Sequence, residues 1–137
     1  MDDRHAPLTA PQILVAMSDL PPLGGRTGGA LPGRFLLEGN RYGLDHLTLV
    51  MGETAPGLGA HLHRHTYEEL FIVHGGRGTY TVGEVTVEAG AGDVVLVPSG
   101  VPHGFTNNAQ ETLFHTAVHA SGNFAAERID SPDTPYA

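Results

Sequence analysis

The stretch His61-Leu62-His63-Arg64-His65-Thr66-Tyr67-Glu68-Glu69-Leu70-Phe71-Ile72-Val73 decides how the rest of the chain is read. Its three histidines alternate with Leu62 and Arg64. In a strand, side chains two residues apart point to the same face, about 6.5–7 Å apart along the chain. Two imidazoles so placed can converge on one ion at roughly 2.0–2.2 Å from each nitrogen. A row of exposed or hydrogen-bonded histidines is the plainer alternative, and the spacing alone does not choose. A straight strand would carry Glu69 about 13 Å past His65. Glu69 therefore shares an ion only if the chain turns at 66–68 and comes back beside its own strand. A carboxylate between a turn and an apolar run is costly to bury unless it is paired or coordinated. That sets a ligand role for Glu69 against a solvated strand start.

Outward from this stretch the chain breaks into short apolar or alternating runs at 34–38, 44–51, 60–65, 69–74, 77–82, 84–88, 93–98, 103–106 and 112–119, separated by Gly, Pro, Asn or Asp. Many are rich in Val, Thr, Tyr and Phe, as half-buried strands are. Leu47, Leu49 and Met51 share one strand face, Val85 and Val87 another, and the break at Gly83 is short enough for a hairpin. Val94 to Val97 is continuously apolar, the pattern of a strand covered on both faces. Pro98-Ser99-Gly100 signals a turn, after which Val101-Pro102-His103 opens the next strand on a stiffened backbone. No window longer than ten residues has helical periodicity. Many short strands at regular spacing predict an all-β sandwich or barrel. Residues 1–11 read as a loose terminus and Gln12 to Ala16 as a short strand. Residues 20–33, with five Gly and three Pro, read as a mobile loop or arm. The expected organisation is an arm over 1–33, a barrel over 34–120 and a tail over 121–137.

Composition narrows the chemistry. The chain has 137 residues, nine His, no Cys, no Trp and no Lys, and a net charge of −8. One domain of this length buries roughly two-thirds of its unfolded surface and needs no staples. Without Cys there is no disulfide scaffold, thiolate zinc site, iron–sulfur cluster or thiol catalysis. The acidic balance argues against nucleic acid and anionic membranes as partners. The start lacks a secretory profile, and the early apolar run Ile13–Met17 is far too short to span a bilayer, so a cytoplasmic location is expected. The histidine excess points to metal binding or proton transfer.

Two segments resemble the paired motifs of the cupin superfamily. The first places Gly57, His63, His65, Glu69 and Gly76 at the family's spacing. The second places Gly92, Pro98, Gly100, His103 and Asn107. Fifteen residues separate Gly76 from Gly92, as in small single-domain microbial cupins. The resemblance implies a small jelly-roll β-barrel holding one divalent transition metal on His63, His65, Glu69 and His103. A register using His61, His63, Glu68 and Gly75 also fits but fails at the leading glycine, where Ala55 stands; the first register is preferred. By parity His61 still points into the barrel, to touch substrate or support the ligands.

The remaining candidates are less marked. Phe71 and Phe105 are expected to line the barrel. His115 and His119 share one face of the last strand, where one of them could reach the cavity, and a structural role is the plainer reading of both. Tyr67 reads as a surface-turn residue or a substrate-facing acid. Arg64 and Arg77 are candidates for a substrate carboxylate, His5 and His46 read as exposed or structural, and His74 has no evident role.

Three neutral imidazoles and a carboxylate around a divalent ion carry a charge of about +1 and suit Fe, Mn, Ni, Zn or Cu with little discrimination. Four protein ligands leave octahedral positions open for substrate, unlike a closed structural zinc. The resemblance allows a dioxygenase, isomerase, lyase or polyketide cyclase acting on a small oxygenated molecule, with Glu69 able to act as a base. It equally allows a non-catalytic sensor or binding module. Small cupins pair through N-terminal strands, so the likeness also implies a homodimer.

Overall fold

A computed structural model describes residues 6–24 and 30–129. The readings at His5, at 25–29 and over 130–137 lie outside the described residues. Among the described residues, eleven strands form two antiparallel sheets: β1 (Pro22–Gly24), β2 (Ala30–Glu38), β3 (Thr48–Thr54), β4 (Gly59–Arg64), β5 (Glu69–Gly75), β6 (Arg77–Val82), β7 (Val85–Gly90), β8 (Val94–Val97), β9 (His103–Thr106), β10 (Leu113–His119) and β11 (Glu127–Arg128). The larger sheet has the order β1-β2-β3-β10-β5-β8 and the smaller β11-β4-β9-β6-β7. Successive strands mostly alternate between sheets or cross to distant neighbours, which closes a jelly-roll barrel around one core. That core packs Phe71, Val73, Tyr80, Phe105, Leu113 and Ala117 between the sheets.

The strand positions expected from period-two patterning and glycine breaks match the observed ones closely. The β6–β7 hairpin pairs Val82 with Val85, so only Gly83 and Glu84 turn the chain. Gly83 supplies the positive φ, +62°, that such a tight turn needs. Gly76, after β5, has φ +74°, and a Cβ there would stand 2.3 Å from the Thr112 carbonyl oxygen.

Two expectations need correction. Residues 12–16 form no strand: Ala10–Ile13 is a single helical turn, with Pro11 in its first turn and the Gln12 side chain accepting from the Thr9 N–H at 2.8 Å. Strand pairing also reaches residues on either side of 34–120. β1 and the start of β2 join the larger sheet, Leu23 enters the core, and β11 pairs with β4. On β8, Val95 and Val97 are buried but Val94 and Leu96 are 51% and 67% exposed, because β8 is the edge of the larger sheet and no layer covers its outer face. Leu49 and Met51 share the outward face of β3, as expected, with Thr48, Val50 and Thr54 buried on the other; Leu47 precedes the strand, and Val85 and Val87 are both exposed. Among the described residues, no helix is long and apolar enough to cross a membrane.

Candidate metal centre

His63 and His103 sit side by side on neighbouring strands of the smaller sheet, β4 and β9. His65 follows just past the end of β4. Glu69 opens β5 in the larger sheet. The turn at 66–68 therefore does not bring the chain back beside its own strand. It carries the chain across from one sheet to the other, and Glu69 meets the histidines from the opposite wall. All four side chains are buried, and one ligand atom from each lies within 4.8 Å of the others. The imidazole centroids are 4.4 Å apart for His63 and His103, and 5.0 Å for His63 and His65.

Their hydrogen bonds fix which nitrogens carry protons. His63 Nδ1 lies 2.6 Å from the His61 carbonyl, His103 Nδ1 lies 2.9 Å from the Val101 carbonyl, and His65 Nδ1 bonds the Ala125 carbonyl. A carbonyl oxygen only accepts, so each Nδ1 donates and, in a neutral ring, each Nε2 is left with a lone pair. Two of those nitrogens, on His65 and His103, stand 3.0 and 2.9 Å from the same Glu69 oxygen, Oε1, which also only accepts. His65 Nε2 is a buried polar atom with no hydrogen-bond partner. Such an arrangement closes only around a positive charge: a shared proton in the metal-free protein, or a metal ion. The donor set fits a divalent transition metal, and backbone carbonyls orient all three rings as outer partners of metal-bound histidines do.

The electrostatics agree. Burial pushes His63 down to about 4, against a smaller upward push from its bond to the His61 carbonyl, so the ring is neutral at pH 7. For Glu69, burial pushes its carboxyl up, but the contacts with His103 and His65 outweigh it and hold the group below the usual carboxylate range. The other Glu69 oxygen, Oε2, faces His119 Nε2 at 3.4 Å. His119, driven down to about 4 by burial, has its Nδ1 3.0 Å from the Tyr67 hydroxyl, which donates to the Ala125 carbonyl at 3.1 Å. Tyr67 also stacks on His65, 4.7 Å between centroids.

The sequence matches the Cupin domain family, Cupin_2, over residues 50–119, more than half of the chain. The chain belongs to the cupin family. Among solved structures, this cupin resembles a conserved Klebsiella pneumoniae protein with a double-stranded β-helix domain, at 19% identity and TM-score 0.63, over 87% of this chain and 98% of that one. It also resembles a mutant of Bacillus subtilis oxalate decarboxylase, at 19% identity and TM-score 0.69, over 82% of this chain but only 31% of that one. A cupin 2 conserved barrel domain protein from Salinispora arenicola shares 28% identity at TM-score 0.51, over 55% of this chain and 63% of that one. The chain thus spans less than two-thirds of the length of the last two. No curated protein matches the sequence.

Four motif residues come together as the resemblance implied; the alternative register does not, since Glu68 and His61 are both exposed. His61 is a correction to the parity argument. The β4–β9 register slips between Ala60 and His63, so β4 carries one extra residue. Ala60 and His63, three apart, both face inward, and His61 turns outward. Gly104 lies opposite the slip, where a Cβ would stand 2.7 Å from the Ala60 carbonyl oxygen.

Phe71, Phe105 and His115 line the interior cavity together with Glu69, His119 and Arg34. Both His115 and His119 reach it; His115 Nδ1 meets the Tyr80 hydroxyl at 2.6 Å, inside the core. His74 lies on the outer face, its Nε2 2.8 Å from Thr116 Oγ1. The two arginines considered for a substrate carboxylate are on the surface: Arg64 pairs with Glu127 at 3.1 Å, and Arg77 is exposed. Arg34, buried in the barrel, carried no signal in the sequence, because the run Phe35-Leu36-Leu37 beside it is continuously apolar and hides which face is inward.

Proposed function

We propose that this cupin is a metal-dependent enzyme acting on a small oxygenated organic molecule inside its barrel. The observation that carries the reading is the buried set of His63, His65, Glu69 and His103, whose ligand atoms all lie within 4.8 Å of one another. His63, His65, Glu69 and His103 would hold a divalent Fe, Mn, Ni, Zn or Cu ion, which when bound polarises an oxygen of the substrate as a Lewis acid. Four protein ligands would leave the ion free to take that oxygen as a further ligand.

The chain's own residues have separable tasks. Backbone carbonyls of His61, Val101 and Ala125 fix the ring orientations. Phe71 and Phe105 wall the cavity and keep water out. Glu69 Oε2, facing His119, is the place where a proton can be taken up and passed outward, with Tyr67 next along the line. Glu69 is accordingly the proposed base.

The test is turnover. Protein reconstituted with each candidate metal is incubated with a panel of small hydroxy-ketones, β-diketones and flavonols, with oxygen uptake and products followed. The reading expects conversion of at least one compound and its loss in Glu69→Gln. No conversion across the panel, with a compound still bound tightly, would replace it with a sensing or binding role.

A further inference from the structure

Arg34 is only 4% exposed. It lies on β2 directly opposite Gly52 of β3, which has no side chain to crowd it, and it points between the sheets. Its Nη2 donates to Thr54 Oγ1 at 2.9 Å. The guanidinium carbon stands 5.6 Å from the centre of the Phe105 ring. Its Nη1 is buried and has no hydrogen-bond partner. Among the described residues, no carboxylate lies within ion-pair distance of it. Burial lowers the group only to about 10, so it is a cation at any physiological pH. An unpaired buried cation is strongly unfavourable, and this one borders the cavity that also holds Glu69, Phe71, Phe105, His115 and His119.

Its support is well built. Thr54 is itself fully buried, and its carbonyl accepts from Asn107 Nδ2 at 2.9 Å. Asn107 thus steadies the strand that holds the guanidinium from behind, while the Nη1 end is left open.

We propose that Arg34 is the barrel's anion receptor, taking the carboxylate of a small organic acid whose other end faces the His63–His65–Glu69–His103 cluster. This rests on the reading of the interior as the substrate site and adds the charge class of the substrate. A planar guanidinium with a free nitrogen matches a carboxylate. The cavity is narrow, about 10 Å³, room for about one water, so the ligand is small or displaces side chains on entry. A barrel with a metal-site charge of about +1 and Arg34 beside it also favours an anion, in a chain whose net charge is −8.

The test uses the full chain stripped of metal, so that metal ligation plays no part. Acetate and acetamide, alike in shape, are titrated against it while the Arg34 side-chain and Phe105 ring resonances are followed by NMR. The expected result is acetate binding at least tenfold tighter than acetamide, with shifts at both residues, and at least tenfold loss in Arg34→Gln. The Tm of that variant should be unchanged or raised, because an unpaired charge has been removed. Equal binding of the two probes to the wild-type chain overturns the proposal without reliance on any variant. So does wild-type acetate affinity in Arg34→Gln, or a lowered Tm, which marks Arg34 as structural. Metal uptake by a reconstituted portion of the same preparation separates the two readings: acetate selectivity in a chain that takes up no metal supports Arg34 while the enzyme reading falls.

Discussion

Glu69 Oε1 stands 2.9 Å from His103 Nε2 across the gap between the two sheets, while His103 Nδ1 faces the Val101 carbonyl at 2.9 Å. The same oxygen faces His65 Nε2 at 3.0 Å. Strands from opposite walls thus hold a carboxylate and imidazole nitrogens together, a donor set consistent with a metal site.

Metal should therefore stabilise the fold. At a free metal concentration 100 times Kd, the gain is about 2.7 kcal/mol. Thermal unfolding with and without added Zn or Mn reads it as a rise in Tm. An unchanged Tm at saturating metal would count against a site that binds in the folded state only.

His61 and His63 should behave oppositely despite their spacing. The slip in β4 turns His61 outward and leaves its carbonyl to orient His63. His61→Ala is expected to keep wild-type metal content and His63→Ala to lose most of it. Equal losses would mean that the parity reading of the strand was correct after all.

Acid should destabilise the metal-free protein. His63, His115 and His119 are held near 4, 3 and 4 in the folded state, mainly by burial, against about 6.5 unfolded. Below about pH 6.5 the unfolded chain binds protons that the folded one refuses. The stability these neutral rings contribute is thus present above that pH and lost as pH falls toward 4, by up to roughly 1.4 kcal/mol per pH unit for each ring. Urea midpoints at pH 7, 6 and 5 should fall in that order, and a flat series would contradict the burial.

Asn107 closes the second motif but is placed to hold backbone, not metal. It is fully buried and donates to the Thr54 and Glu111 carbonyls at 2.9 and 2.7 Å. Asn107→Ala leaves two carbonyls unsatisfied and should cost about 2–4 kcal/mol, read by urea unfolding, while the folded fraction still binds metal.

We propose self-association through the outer face of the larger sheet. Two rows cross five strands there, Phe35-Met51-Thr116-Ile72-Val94 and Leu37-Leu49-Val118-Leu70-Leu96, without a charge, which suits a two-fold contact between copies that each carry −8. At strand spacings of about 4.8 Å the face covers on the order of 300 Å², short of the roughly 800 Å² per partner of a standard interface. The exposed Leu8, Ile13, Leu14 and Met17 are therefore expected to add to it. Light scattering should give twice 14.4 kDa, falling toward the monomer in Ile72→Glu and on deletion of residues 1–20. A wild-type monomer would end the proposal.

What could be read beforehand was whatever depends on local period and spacing. Glycines at 57, 76, 92 and 100 all take positive φ in the turns that the motifs mark, and the runs between them become strands where expected. What could not be read depends on which strand lies beside which. Alternation does not announce the extra residue that turns His61 outward. The apolar run Val94–Val97 looks the same whether its strand is central or, as here, an edge. Arg34 faces inward because β2 pairs with β3 around Gly52, a long-range fact. Gln12–Ala16 looked like a strand, but Pro11 and the Thr9–Gln12 bond turn the chain just before it.

The central claim is tested most directly by counting metal in the purified, tag-free protein. About one divalent transition-metal ion per chain is expected after reconstitution and dialysis, and essentially none in a folded His63→Ala/His103→Ala double variant. Wild-type metal content in that folded double variant would contradict it.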